Sequence, residues 1–160
     1  MKWLNHQCVT GVIVYVATED LLLTAFGMAG AILPDRVEGN PRGRLSGLGW
    51  RSRHRGWSHW PMLYIALIGL LTKLQGASSL PDFFVNHAPL AAGYPPSYFG
   101  IALCAGALLH IAEDAVCGKV PFLTPNRKVG IRLFTVGSFT EYFFSLGVVL
   151  LCYAVHAWFR

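Results

Sequence analysis

Three apolar runs in this chain are each long enough to cross the roughly 30 Å hydrocarbon core of a bilayer at about 1.5 Å per helical residue, and a chain that carries them has few choices besides a helical membrane protein. They cover residues 58–75, 99–116 and 134–159. A fourth run, 7–33, is interrupted near its middle by Glu19-Asp20. It reads either as one tilted span carrying two acids or as a hairpin of two short helices, neither half of which would span alone. Composition agrees. Hydrophobic residues make up 54% and charged residues 13% of the chain, with a mean hydropathy of +0.46, too apolar for an ordinary soluble domain of this length. With no internal repeat or low-complexity tract, the expectation is one domain over 1–160, all-α and polytopic, with about four to five membrane-embedded helices.

The net charge of +5 comes from Lys and Arg gathered in loops between the apolar runs. They form neither a basic helix face nor a pattern interleaved with exposed aromatics, so no nucleic-acid partner is expected. Arg36, Arg42, Arg44, Arg51, Arg53 and Arg55 lie between the first two runs, no Lys or Arg lies between 75 and 99, and Lys119, Arg127, Lys128 and Arg132 follow the third run. The excess of positive charge on cytoplasmic loops makes the first and third connections cytoplasmic and the second, with its Pro81, Pro89, Pro95 and Pro96, external. Cys8, Cys104, Cys117 and Cys152 show neither metal-site nor disulfide spacing and read as small apolar residues. The first run holds two acids and leads into more apolar sequence, so no cleavable leader is expected.

On this topology the polar residues collect at one boundary. Asp35 ends the first run, His54 and His59 flank the start of the next, and His110 and Asp114 sit in the last turns of a descending span. His110 and Asp114, four apart, share a helix face and can address one ion. Ionisable groups within a membrane segment are costly and usually mark function, which favours a functional reading of this pair over a helix-end hydrogen bond. Gly56 permits a break between His54 and His59, and Ser58 is a suitable N-cap for a helix starting at His59. Taken singly, each of these two histidines also reads as a solvated interfacial residue, and Asp35 as a loop residue after Pro34. His87 and His156 fall on the other side.

The segments Gly30-Ala31-Ile32-Leu33-Pro34-Asp35, His54-Arg55-Gly56-Trp57-Ser58-His59, His110-Ile111-Ala112-Glu113-Asp114 and Gly118-Lys119-Val120-Pro121-Phe122-Leu123-Thr124-Pro125 resemble, in order, the YdjM-like family of membrane-bound, metal-dependent hydrolases. His6 and Gly137-Ser138 with Glu141 resemble that family's first and last signatures. The resemblance implies a bacterial inner-membrane protein with a site facing the cytoplasm. Its metal ligands would be His6, Asp35, His54, His59, His110 and Asp114, with Asp35, Arg55 and Glu141 as candidate catalytic groups. It also suggests a distant similarity to the all-helical zinc-dependent phospholipases C. The family often has a second acid two residues after Asp35, where this chain has Val37 followed by Glu38, which leaves a second, bridged metal without that ligand. Cys117 stands where Thr is commoner.

Imidazole and carboxylate donors suit zinc first, with manganese or iron as alternatives. The function that follows is hydrolysis of a phosphoester, or of an amphiphile reached from the membrane lipid. Arg55 can bind a phosphate oxygen through its planar fork, or serve only as one more charge in its loop. A non-enzymatic protein that binds a structural metal or conducts ions is the other reading, which acids in mid-membrane at Glu19-Asp20 would favour.

Overall fold

The computed structural model describes residues 1–39, 55–74 and 95–160, and His54, His87 and the arginines from Arg42 to Arg53 lie outside them. The described residues are mostly helical. Helix α1 (Trp3–Thr18) ends where Glu19 takes a left-handed φ of 51° and its N–H reaches Tyr15 O. Asp20 then caps α2 (Leu21–Gly30) by accepting from Leu23 N at 2.8 Å. The two acids that interrupt the first apolar run are thus the stop and start signals of a hairpin, and α1 packs back on α2. Helix α3 (Leu33–Glu38) follows with Pro34 in its first turn.

A 3-10 turn (Trp57–His59) precedes α4 (Pro61–Leu74). The N-cap expected of Ser58 is not made. Its hydroxyl donates to Glu38 Oε1 at 2.6 Å instead, and α4 begins two residues beyond His59, at Pro61, whose fixed φ suits a first helical position. Helix α5 (Pro96–Cys117) is the central element, packed against α1, α2 and α4, while α6 (Phe139–Phe159) lies on α1. Between α5 and α6 the chain forms a small antiparallel ribbon that an all-α reading does not anticipate. It pairs β1 (Val120–Pro121) with β2 (Lys128–Val129) in the register Val120 to Val129. Beyond it Ile131 N and Leu133 N donate to Ala115 O and Val116 O, satisfying carbonyls that the last turn of α5 would leave unpaired.

Helices α5 and α6 are long and apolar enough to cross a membrane; α4, with 14 described residues, is shorter. At 21 residues α6 is about 31 Å long, and it exposes Phe143, Leu146, Leu150, Leu151 and Trp158 along its length. Its two ends are tied differently. Ser138 caps the first turn, and at the other end Arg160 Nη2 pairs with Glu19 at 2.6 Å.

The seam between α2 and α5 is set by glycine. A Cβ on Gly106 would stand 2.0 Å from Gly27 O, and one on Gly30 would stand 2.0 Å from Leu103 O. Only bare Cα atoms allow the backbones this close, as at other small-residue membrane contacts. The close approach brings the α2–α3 corner, and so Asp35, against the end of α5. Gly106→Ala should therefore destabilise the protein by about 1–3 kcal/mol or more, since the clash is with backbone that cannot swing aside. Gly69→Ala meets nothing within 4 Å and should be neutral or mildly stabilising. Thermal melts in detergent compare the two, and equal melting temperatures would contradict the seam.

Candidate metal centre

His6, Asp35, His59, His110 and Asp114 converge at the C-terminal end of α5, where the helix dipole is negative and favours a cation. His6, His59 and His110 are each 0% exposed. The Nε2 atoms of His59 and His110 are 3.2 Å apart. Asp35 Oδ1 lies 3.3 Å from His59 Nε2 and 3.7 Å from His110 Nε2, and Asp114 Oδ2 lies 3.6 Å and 3.8 Å from the same two atoms. The His6 ring packs against that of His110 at 4.0 Å between centroids, tilted by 37°, with its Nε2 3.4 Å from Asp114 Oδ1. His6 reaches this point because the α1–α2 hairpin returns the chain to the side from which it started.

Two carboxylates that the sequence reading did not assign hold the imidazoles from behind. Glu113 Oε2 lies 2.6 Å from His6 Nδ1, with its other oxygen accepting from the Thr10 hydroxyl at 3.3 Å. Glu38 Oε1 lies 3.1 Å from His59 Nδ1, and the same carboxylate accepts from Ser58 Oγ and from the backbone N–H groups of Arg55 and Gly56. A carboxylate on Nδ1 fixes the tautomer and leaves Nε2 to face the centre, as behind metal-bound histidines in general. The only sequence signals for them are that Glu113 directly precedes Asp114 and that Glu38 follows Asp35 by three residues.

Arg55 lies against the same site. Its Nε is 2.7 Å from Asp114 Oδ2, and its backbone holds a left-handed φ of 58°, a costly conformation that Glu38 secures through the N–H it accepts. The Met1 amino group lies 2.9 Å from Asp114 Oδ1. Trp3 Nε1 donates to Asp35 Oδ2 at 2.8 Å. Glu141 is not brought to the cluster. Its carboxylate accepts from Gly137 N, Lys2 N and Asn5 Nδ2, tying the start of α1 to the start of α6 and so steadying the turn that carries His6.

These donors fit a divalent ion. Around zinc, with N and O ligands at about 2.0–2.2 Å, adjacent tetrahedral donors lie about 3.4 Å apart, and the separations here run from 3.2 to 3.8 Å. His6 Nε2 is buried without a hydrogen-bond partner, a costly arrangement that a ligand would relieve.

The pH response of the metal-stripped protein follows from the same contacts. Burial opposes charge on His59, but its hydrogen bonds to Asp35 and Glu38 outweigh burial and raise its pKa above 6.5. Burial also opposes charge on Asp35, yet hydrogen bonds from His110, His59 and Trp3 hold its carboxyl well below the usual range. The His59 contribution to stability is complete below about pH 6.5 and is lost as pH rises through the raised value; that of Asp35 is present above about pH 3.8 and is lost as pH falls through the lowered one. Chelator-treated protein should therefore melt at a lower temperature as the pH is taken from about 6 to 9. A rise over that range in detergent melts would contradict the assignment.

No curated protein and no solved structure matches this chain. The family described as YdjM inner membrane protein matches residues 1–160, the whole chain, and the protein belongs to that family.

Proposed function

We propose that this protein is a membrane-bound, metal-dependent hydrolase that works at the cytoplasmic face of the inner membrane on a phosphoester or an amphiphilic, lipid-like substrate. The observation that carries the reading is the convergence of three buried imidazoles and two carboxylates, with Glu38 and Glu113 behind two of the imidazoles. His6, Asp35, His59, His110 and Asp114 would hold the metal, zinc in the first instance. A bound divalent ion lowers the pKa of a coordinated water to about 7 and polarises a phosphoryl or carbonyl oxygen. The protein's own part is to orient the imidazoles, to exclude bulk water from all but one edge, and to meet the substrate there.

That edge is where Asp35 and Arg55 retain 18% and 15% side-chain exposure. The Arg55 fork, already aimed at an anionic oxygen of Asp114, suits it to steady a substrate phosphate. Trp57, Phe122, Leu123, Ile131 and Leu133 are exposed near the same end, with Lys119, Arg127, Lys128 and Arg132 in the same connection. Apolar and aromatic side chains among cations suit a membrane boundary on the cytoplasmic side, where an amphiphile would be met. The competing ion-conduction reading draws on Glu19-Asp20, but these residues form the hairpin turn some 13 residues, about 20 Å, along α1 from His6.

The test is turnover by the purified protein in detergent across phosphodiesters and carboxylic esters of short and long chain. Zinc-dependent hydrolysis of one class, abolished by chelator, is expected. Full metal occupancy with no turnover of any class would leave a structural metal site in place of a hydrolase.

A further inference from the structure

Asp114 does not present its carboxylate to a single set of donors. Oδ2 faces His59 and His110, whereas Oδ1 faces His6 Nε2 at 3.4 Å and the Cys117 thiol at 3.6 Å. Two overlapping triads of potential ligands, Asp35–His59–His110 and His6–His110–Asp114, share His110. The second triad contains the fully buried, unpartnered His6 Nε2. Cys117 lies one turn beyond Asp114 on α5 and is buried.

The distances discriminate. With metal bonds of about 2.0–2.2 Å to N and O and about 2.3 Å to S, tetrahedral neighbours lie about 3.4 Å apart for N and O and about 3.6 Å for S and O. Those are the separations of His6 Nε2 and Cys117 Sγ from Asp114 Oδ1. The Met1 amino group stands 2.9 Å from Oδ1 and 3.3 Å from Sγ, so an ion seated on these two atoms takes the place of that ammonium.

Resting on the metal-centre reading above, we propose that the centre takes two divalent ions joined by the Asp114 carboxylate, and that the second, beside His6, takes the Cys117 thiolate as a ligand. On binding, the thiol releases its proton to the buffer and the sulfur lone pair goes to the ion. Arg55 Nη2 lies 3.8 Å from Sγ. The soft donor inclines this position toward zinc rather than manganese.

Cobalt(II), titrated into the metal-stripped full chain in detergent, is the probe, because a thiolate ligand gives a sulfur-to-cobalt charge-transfer absorption in the near ultraviolet. Two equivalents should bind, with this band appearing in the native protein. Cys117→Ser should remove the band and weaken one equivalent by about tenfold or more, at least the lower end of what outer-shell losses cost. Cys104→Ser, in the apolar cluster with Tyr64 and Ala107, should keep both band and stoichiometry. The native spectrum decides whether sulfur binds even if a variant folds poorly. Cobalt bound without the band, a single equivalent, or a band that survives Cys117→Ser would overturn the inference and leave the metal-centre reading standing. No cobalt binding at all would remove both.

Discussion

Asp114→Asn should lower metal affinity by about 100-fold or more, beyond the roughly 10–100-fold typical of losing an outer-shell partner, and should abolish hydrolysis with it. The substitution keeps the size of the side chain and much of its hydrogen bonding but removes the charge that faces His6, His59 and His110 at 3.4–3.8 Å. His110→Ala should do the same from the imidazole side, because His110 belongs to both donor triads. Membrane insertion should be unchanged in both, since the apolar faces of α5 and α6 that drive it are untouched. Metal analysis of the purified variants, with membrane fractionation as control, reads this out. Full metal content in both variants would reduce the pair to a helix-end hydrogen bond.

The second large effect is expected from residues that touch no candidate substrate. Glu113→Gln and Glu38→Gln should each weaken metal binding by about 10–100-fold. Glutamine can still accept a hydrogen bond from Nδ1–H, but without the negative charge the opposite nitrogen is a poorer donor to a metal. In Glu113→Gln the effect acts through His6, 2.6 Å away, and in Glu38→Gln through His59 at 3.1 Å. Competition with a chelator of known affinity measures it. Native affinity in both variants would mean that the carboxylates serve packing alone.

These expectations divide between what local sequence makes visible and what it hides. Helix α5 and the shared face of His110 and Asp114 follow from a long apolar run and a spacing of four, both local properties. The hairpin was one of two open readings of the first run, and capping decided it. Asp20 offers a side-chain cap and Glu19 accepts a left-handed turn, so the chain reverses there. The partners of the imidazoles are not local. Glu113 is 107 residues from His6 and Glu38 is 21 from His59, and no periodicity connects them. The same long-range competition explains Ser58. Its cap propensity is sound, but its hydroxyl is turned to donate to the Glu38 carboxylate rather than to accept from the N–H groups that follow, and the helix starts later, at Pro61. The ribbon after α5 was hidden because two-residue strands carry no alternation to read. Glu141 shows the limit of motif resemblance, which singles out a position without saying whether it touches the chemistry or braces it.

The central claim is that His6, Asp35, His59, His110 and Asp114 together bind metal. Metal-edge X-ray absorption of the intact, zinc-loaded protein in detergent addresses it directly. The account predicts nitrogen and oxygen neighbours at about 2.0–2.2 Å with the outer-shell scattering of more than one imidazole. Protein that retains no zinc, or zinc surrounded by oxygen alone with no imidazole scattering, would contradict it.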